Sequence, residues 1–317
     1  MTLIPFVCLF IGSFIGLKKS NDSFLKGVDR VTTFVLILLM LTIGTNIGAN
    51  DSVMYELDTI GINCVVIALC AIVFSVLGVW IIEKTILPLE KIQKELSLDN
   101  LELDYKVDAE AEKEKKTSPL VFIMPASIVI GIIIGFYILP KTHINMLDNI
   151  LTGTLIVLYV GVGISIGSNK DVLKYIKVVG LRVVYISIAI FLGSLIGGFV
   201  SGIIMDIPFR ASVISASGMS YYSITGAYMT KVYGIEIGTY GFMVNVMREF
   251  FTVLLLPILI KISKGSPIAG GAAGNMDTML MPVTKFVGAE LGLITLITGT
   301  ILTFAVPFIL PILHSVL

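Results

Sequence analysis

The sequence predicts an all-α polytopic membrane protein, with about eight transmembrane helices in two inverted-repeat pairs. Three observations carry that prediction. The 317-residue chain is 56% hydrophobic with a mean hydropathy of +0.98, more apolar than a soluble domain. Its apolar runs approach ~20 residues, the length that crosses a bilayer as a helix. The chain also matches itself without a gap at two offsets, 119 and 54 residues. The runs do not alternate, which excludes the strands of a membrane β-barrel.

The apolar runs fall at about 2–17, 31–49, 62–83, 119–139, 149–167, 179–204, 238–260 and 290–314. The first, "MTLIPFVCLF", lacks a basic leader and reads as a retained helix rather than a cleaved signal. The one long polar stretch is Lys84–Ser118, rich in Lys and Glu, which reads as an exposed cytoplasmic linker without a core of its own. Basic residues set the orientation. Lys18, Lys19, Lys26 and Arg30 occupy the first loop, and the second loop has none. The linker carries seven Lys, the next loop only Lys141, and the one after it Lys170, Lys174 and Lys177. Lys261 and Lys264 follow the seventh run. The alternation places both termini outside the cytoplasm of a cell (inner or plasma) membrane. Counting 209–232 as a ninth span would put Lys261 and Lys264 on the wrong side, so eight is preferred.

The offset of 119 lays Gly12 on Gly131, Gly16 on Gly135, Asp29 on Asp148, Gly44 on Gly163, Gly48 on Gly167 and Ser75 on Ser194. Three spans form each copy. An odd number inverts the second copy, the plan of secondary transporters. The offset of 54 lays "TKVYGIEIG" (Thr230–Gly238) on "TKFVGAELG" (Thr284–Gly292), and "LPIL" at Leu256 on "LPIL" at Leu310. Each copy there is a Gly-rich or Ser-rich segment followed by one span. Such segments, Ala211–Gly234 and Gly265–Gly288, read as re-entrant hairpins of two half-helices. A ten-residue arm rises about 15 Å, roughly to the bilayer midplane. The organisation is thus a first three-helix repeat (1–83), the linker (84–118), a second repeat (119–208), and two hairpin-plus-helix units (209–262 and 263–317). A blander alternative is that the small residues only help helices pack.

The stretch "VNVMREFFTVLLLP" (Val244–Pro257) sets Arg248 and Glu249 inside an apolar span, where a charge costs several kcal/mol. Gly241, Asn245, Glu249 and Thr252 share one helix face, which should point into the bundle. Glu249 is a candidate to bind a cation or a proton. Arg248 lies about 100° around the helix from it, so each needs another partner. A buried ion pair that fixes packing is the competing account for both. Asp277, followed by Thr278, sits opposite Ser223 at the offset of 54. Both are expected at helix N-caps, and the opposed half-helix N-termini would suit a carboxylate. Asp51, next to Asn50, ends the second span and is a further candidate acid or a solvated loop residue. Tyr221 and Tyr222 stand at the first hairpin tip, as interfacial anchors or as site lining.

No nucleotide loop, no Cys/His metal spacing and no soluble catalytic set is present in the sequence, so no enzyme and no cofactor is predicted. Cys8, Cys64 and Cys70 lie in apolar runs and read as small core residues. No nucleic acid partner is expected; the lipid bilayer is, and a homo-oligomer is compatible with the pattern.

The run "SGMSYYSITG…YGIEIGTYGFMVNVMREFFTVLLLPIL", then "GNMDTMLMPVTKFVG", resembles the LysO-type lysine exporter family. The resemblance covers most of the chain and is strongest over 215–288. It implies eight spans with both ends outside, and functional intramembrane acids that Glu249 and Asp51 match. The charged linker departs from the family pattern, and the Asp277–Pro282 segment is longer than its compact form. The function so implied is export of lysine and its analogues by a secondary transporter, with Glu249 as the carboxylate of a proton antiport. The alternatives are a transporter for another amino acid or a small organic anion, a channel or holin-like pore, and a membrane scaffold built on the linker.

Overall fold

Every predicted apolar run forms a helix, and most extend a few residues into their polar flanks. The computed structural model describes residues 3–18, 21–90, 93, 120–138, 144–168, 181–288 and 291–317. Most of the predicted linker Lys84–Ser118 lies outside the described residues, as do Asn169, Lys170, Lys174 and Lys177. The long helices are α1 (Leu3–Lys18), α2 (Asp22–Ala49), α4 (Leu57–Thr85), α5 (Leu120–Tyr137), α6 (Ile144–Ser168), α7 (Val184–Met205), α10 (Ile235–Ile262) and α13 (Gly292–Val316). A short α3 (Asp51–Tyr55) follows α2. Six described helices are long and apolar enough to cross a membrane, and α1 and α5 contribute shorter apolar helices. No strand occurs among the described residues. The chain is an all-helical, multi-pass membrane protein.

Helix ends follow local chemistry. Asn21 opens α2, its side chain accepting from the Ser23 amide. Asn50 closes α2 and opens α3, accepting from the Val53 amide at 3.2 Å. Asp206 ends α7 in the left-handed region (φ 53°), just ahead of Pro208. Pro257 in α10 and Pro311 in α13 are mates at the offset of 54 and lie inside their helices. Large apolar side chains such as Phe34, Ile62, Ile81, Phe199 and Leu254 are exposed on the outer faces, where acyl chains are the solvent.

Packing divides the helices into two groups. In the first, α1 lies on α6, and α2 lies on α5 and α6, forming a four-helix panel. Glycines set the crossings. A Cβ on Gly12 would meet the Gly163 Cα at 2.9 Å, and one on Gly131 would meet the Gly44 Cα at 3.0 Å. These two contacts are one contact repeated at the offset of 119. Along α1 and α6 the neighbours advance together, Gly12 beside Gly163 and Gly16 beside Ser168, so these helices run parallel. In the second group α4 crosses α7 in the opposite sense, with Gly78 against Ala189 and Gly197 against Ala71. At that crossing the mates Ser75 and Ser194 face each other, Oγ to Oγ, at 3.2 Å.

Around α4 and α7 stand α10, α13 and two helical hairpins. The first hairpin is α8 (Phe209–Ala216) and α9 (Tyr222–Tyr233). The second is α11 (Gly265–Gly271), a 3-10 turn (Ala272–Met276) and α12 (Leu280–Val287). Arms of seven to twelve residues rise about 10–18 Å, short of the ~30 Å hydrocarbon layer. The second arms end on Gly234 (φ 90°) and Gly288 (φ 101°), mates at the offset of 54 in a backbone region that favours glycine. One expectation is corrected here. Neither Ser223 nor Asp277 is a helix N-cap: Tyr221 and Met279 hold those places. The first helix starts one residue earlier than its polar signal. Asp277 is instead taken into the turn after the 3-10 segment, where its Oδ1 accepts from the Thr278 amide.

Candidate functional site

The two hairpin tips touch. The Ala273 amide donates to the Met219 carbonyl at 2.9 Å, joining backbone to backbone between residues that are mates at the offset of 54. Met219 (φ 49°) and Ser220 (φ 77°) both lie in the left-handed region, a costly pair of conformations for residues with a Cβ. Asn245 of α10 holds that strained tip. Its Oδ1 accepts from the Ser220 amide at 2.7 Å, and its Nδ2 donates to the carbonyls of Ser215 and Gly241 at 2.9 and 2.8 Å. On the other tip, Thr303 of α13 donates to the Ala273 carbonyl at 3.0 Å.

Arg248 is fully buried and serves the second hairpin. Its Nε and Nη2 donate to the Gly270 and Ala269 carbonyls at 3.3 and 3.1 Å, at the C-terminal end of α11. Those carbonyls have no partner within their own helix. The same guanidinium donates to Ser194 Oγ at 2.7 Å and Ser75 Oγ at 3.1 Å. Arg248 therefore ties the hairpin to the α4–α7 crossing. It does not line the cavity described next.

That cavity measures ≈ 180 Å³ and lies between the panel and the hairpin tips. Asp29, Thr32 and Leu36 of α2 and Gly161, Val162 and Ser165 of α6 form one wall. The tips form the other, with Ser220, Tyr221, Tyr222 and Ser223 from the first hairpin and Gly274, Asp277 and Thr278 from the second. Glu249 stands at mid-helix in α10 between the two tips, its Oε1 accepting from Thr278 Oγ at 3.0 Å. A Cβ on Gly274 would come within 2.8 Å of the same Oε1, so any larger residue there would push the carboxylate aside.

Of the sequence candidates, Glu249, Asp277, Thr278, Ser223, Tyr221 and Tyr222 converge on the cavity. Asn245 and Arg248 support it from behind. Asp51 is exposed at the start of α3 and Asn50 caps that helix, and neither lines the cavity. Sequence reasoning missed Ser220, Thr303 and Asp29 as lining. Thr303 is the mate of Glu249 at the offset of 54, a signal that was available. Asp29 stood out only as the mate of Asp148. Three carboxyls line the cavity, Asp29 on the panel wall and Glu249 and Asp277 beside the second tip, while the first tip is rich in donors. The α9 N-terminus offers amides that have no intrahelical acceptor. Among the described residues no cluster of metal-ligating side chains occurs.

Comparisons with known proteins identify a family. A family model, "Lysine exporter LysO", matches residues 6–95 and 126–314. The gap it leaves takes in most of the charged linker. The lysine exporter LysO of Escherichia coli (strain K12) is 24% identical over 315 residues, spanning 97% of either chain. A putative lysine exporter of Haemophilus influenzae is 25% identical over 190 residues, 60% of this chain and 96% of its own. No solved structure matches the chain.

Proposed function

This chain belongs to the lysine exporter LysO family, and on that premise we propose that it exports L-lysine from the cytoplasm as a secondary transporter coupled to protons. The observation that carries the reading is Glu249 at mid-span, bound to Thr278 where two hairpin tips meet at a cavity. Ionisable residues at that depth are costly and rare, and they mark substrate or proton pathways. The Asp277 and Glu249 carboxyls suit lysine's ammonium groups. The amides at the start of α9 suit its carboxylate.

The inverted plan supports alternating access. Parallel pairing of α1 with α6, and antiparallel crossing of the mates in α4 and α7, is what two oppositely oriented copies produce. Helix ends also sort into two groups. The end of α13 reaches α8 and α9, through Arg210 to the Leu317 carbonyl and His314 to Tyr233. The end of α4 reaches α11, through Glu83 to the Gly265 amide. The second group lies with the basic Lys84, Lys261 and Lys264 and is the cytoplasmic face. The cavity is bounded by the first half of α2, from Asp29 to Leu36, and the last turns of α6, and both of those helix ends adjoin basic loops, so it opens inward.

Cytoplasmic lysine enters this cavity as a cation and displaces a proton from Glu249. After the hairpin unit shifts against the panel, an external proton neutralises Glu249 and the cation leaves outward. Labelled-lysine counterflow in proteoliposomes, with and without a pH gradient, tests this. Uptake into the lumen that ignores the gradient overturns the coupling, and an absence of exchange overturns the substrate.

A further inference from the structure

On the far side of the cavity the route is shut by a charged pair. Lys231, near the end of α9, donates to Asp148, near the start of α6. This pair joins the hairpin unit to the panel at the outward face. Behind it lies a small apolar pocket walled by Ile4, Pro5, Leu155, Tyr159 and Tyr228. The hydroxyls of Tyr159 and Tyr228 are buried there without a hydrogen-bond partner. An unpaired buried hydroxyl costs stability, so closing this seam is not strongly favoured at these two groups.

Both members of the pair have mates. Asp148 is Asp29 shifted by 119, and Lys231 is Lys285 shifted by 54. Asp29 lines the mouth of the inward cavity, and Lys285 lies near the end of α12, the mate of α9. Both mates are exposed, and neither carries an ion pair among the described residues. The helices show the same asymmetry. Besides α10 and α13 of its own unit, α9 packs on α6 and α2 of the panel, whereas α12 packs on α10, α11 and α13 of its own unit.

We propose that Asp148–Lys231 and Asp29–Lys285 are the outer and inner gate pairs of one exchange, so that this structure has the outer pair closed and the inner pair apart. In the outward-open state α12 comes against α2, as α9 now comes against α6, and Asp29 pairs with Lys285 while Asp148 and Lys231 separate. Each pair is worth little by itself in water. That suits a gate, since neither state is locked. This proposal rests on the alternating-access reading above.

Cross-linking tests it in membranes carrying the full chain with Cys8, Cys64 and Cys70 replaced by Ala. One variant has Asp148→Cys with Lys231→Cys, the other Asp29→Cys with Lys285→Cys, each treated with a short bis-maleimide. Without gradient or lysine, the outer variant should cross-link in most molecules and the inner variant in few. Saturating lysine with a proton gradient should raise the inner yield several-fold and lower the outer. An inner pair that never cross-links, or two yields that move together, overturns the exchange. As a second readout, Asp29→Lys should cut export several-fold and Asp29→Lys with Lys285→Asp should restore it; a double variant no better than the single also overturns the proposal. Failure of the unmodified protein to move lysine overturns the transport reading alone, since the two yields can still be compared with the gradient as sole stimulus.

Discussion

Thr278 donates its hydroxyl to Glu249 across 3.0 Å, so the tip of the second hairpin is bonded to the middle of α10. The two residues are 29 positions apart and belong to different elements of the fold. Any cation that binds Glu249 is therefore felt by the hairpin at once.

The first prediction follows directly. Glu249→Gln keeps the shape and the Thr278 contact but removes the exchangeable charge. Lysine counterflow should fall at least ~10-fold, about 1.4 kcal/mol or more of lost cation stabilisation. Thr278→Val should weaken lysine binding more modestly, by about 1 kcal/mol for one lost hydrogen bond. Exchange at the normal rate in Glu249→Gln would remove the residue from the mechanism.

Arg248 should behave differently. It binds two carbonyls and two hydroxyls in a buried place, so its loss leaves the α11 carbonyls orphaned. Arg248→Met should lower the melting temperature in detergent and the folded yield, at about 1–3 kcal/mol for each carbonyl left unpaired. Arg248→Lys should recover only part of this, because an ammonium cannot span four acceptors in the plane of a guanidinium. A stable, well-folded Arg248→Met protein with impaired binding would instead make Arg248 a substrate contact.

Gly44 and Gly163 are mates, and both sit at close helix crossings. A Cβ on Gly44 would lie 2.3 Å from the Ile128 carbonyl oxygen, and one on Gly163 would lie 2.5 Å from that of Leu9. Alanine at either should force its helix pair apart and destabilise by about 1–3 kcal/mol. Thermal melts of the two variants should give similar shifts. A large effect at one and none at the other would break the two-fold relation between the copies.

The sides of the membrane can be read with a membrane-impermeant maleimide on intact cells. Cysteine at Asp206 should label and cysteine at Lys264 should not. The reverse pattern would turn the molecule over and make the cavity open outward.

Deleting residues 97–117 should leave lysine export within about two-fold of the intact protein, because no predicted site residue falls there. Loss of export on deletion would favour a docking or regulatory protein built on the linker.

The sequence by itself determined where the helices lie, because ~20-residue apolar runs have one low-energy form in a bilayer. It also gave the registers of both repeats, and it marked Glu249 as an acid placed inside an apolar span, where charge is costly. It could not place Asp51, which reads as an acid at a span end yet stands exposed beside the Asn50 cap, away from the cavity. Nor could it divide labour between Arg248 and Glu249, adjacent in the chain, one bound to two helices and the α11 end of the second hairpin and the other to the tip of that same hairpin. Those outcomes depend on which surfaces meet. Hydropathy is a property of single segments, whereas the partners of a buried charge are chosen only when distant segments close around it.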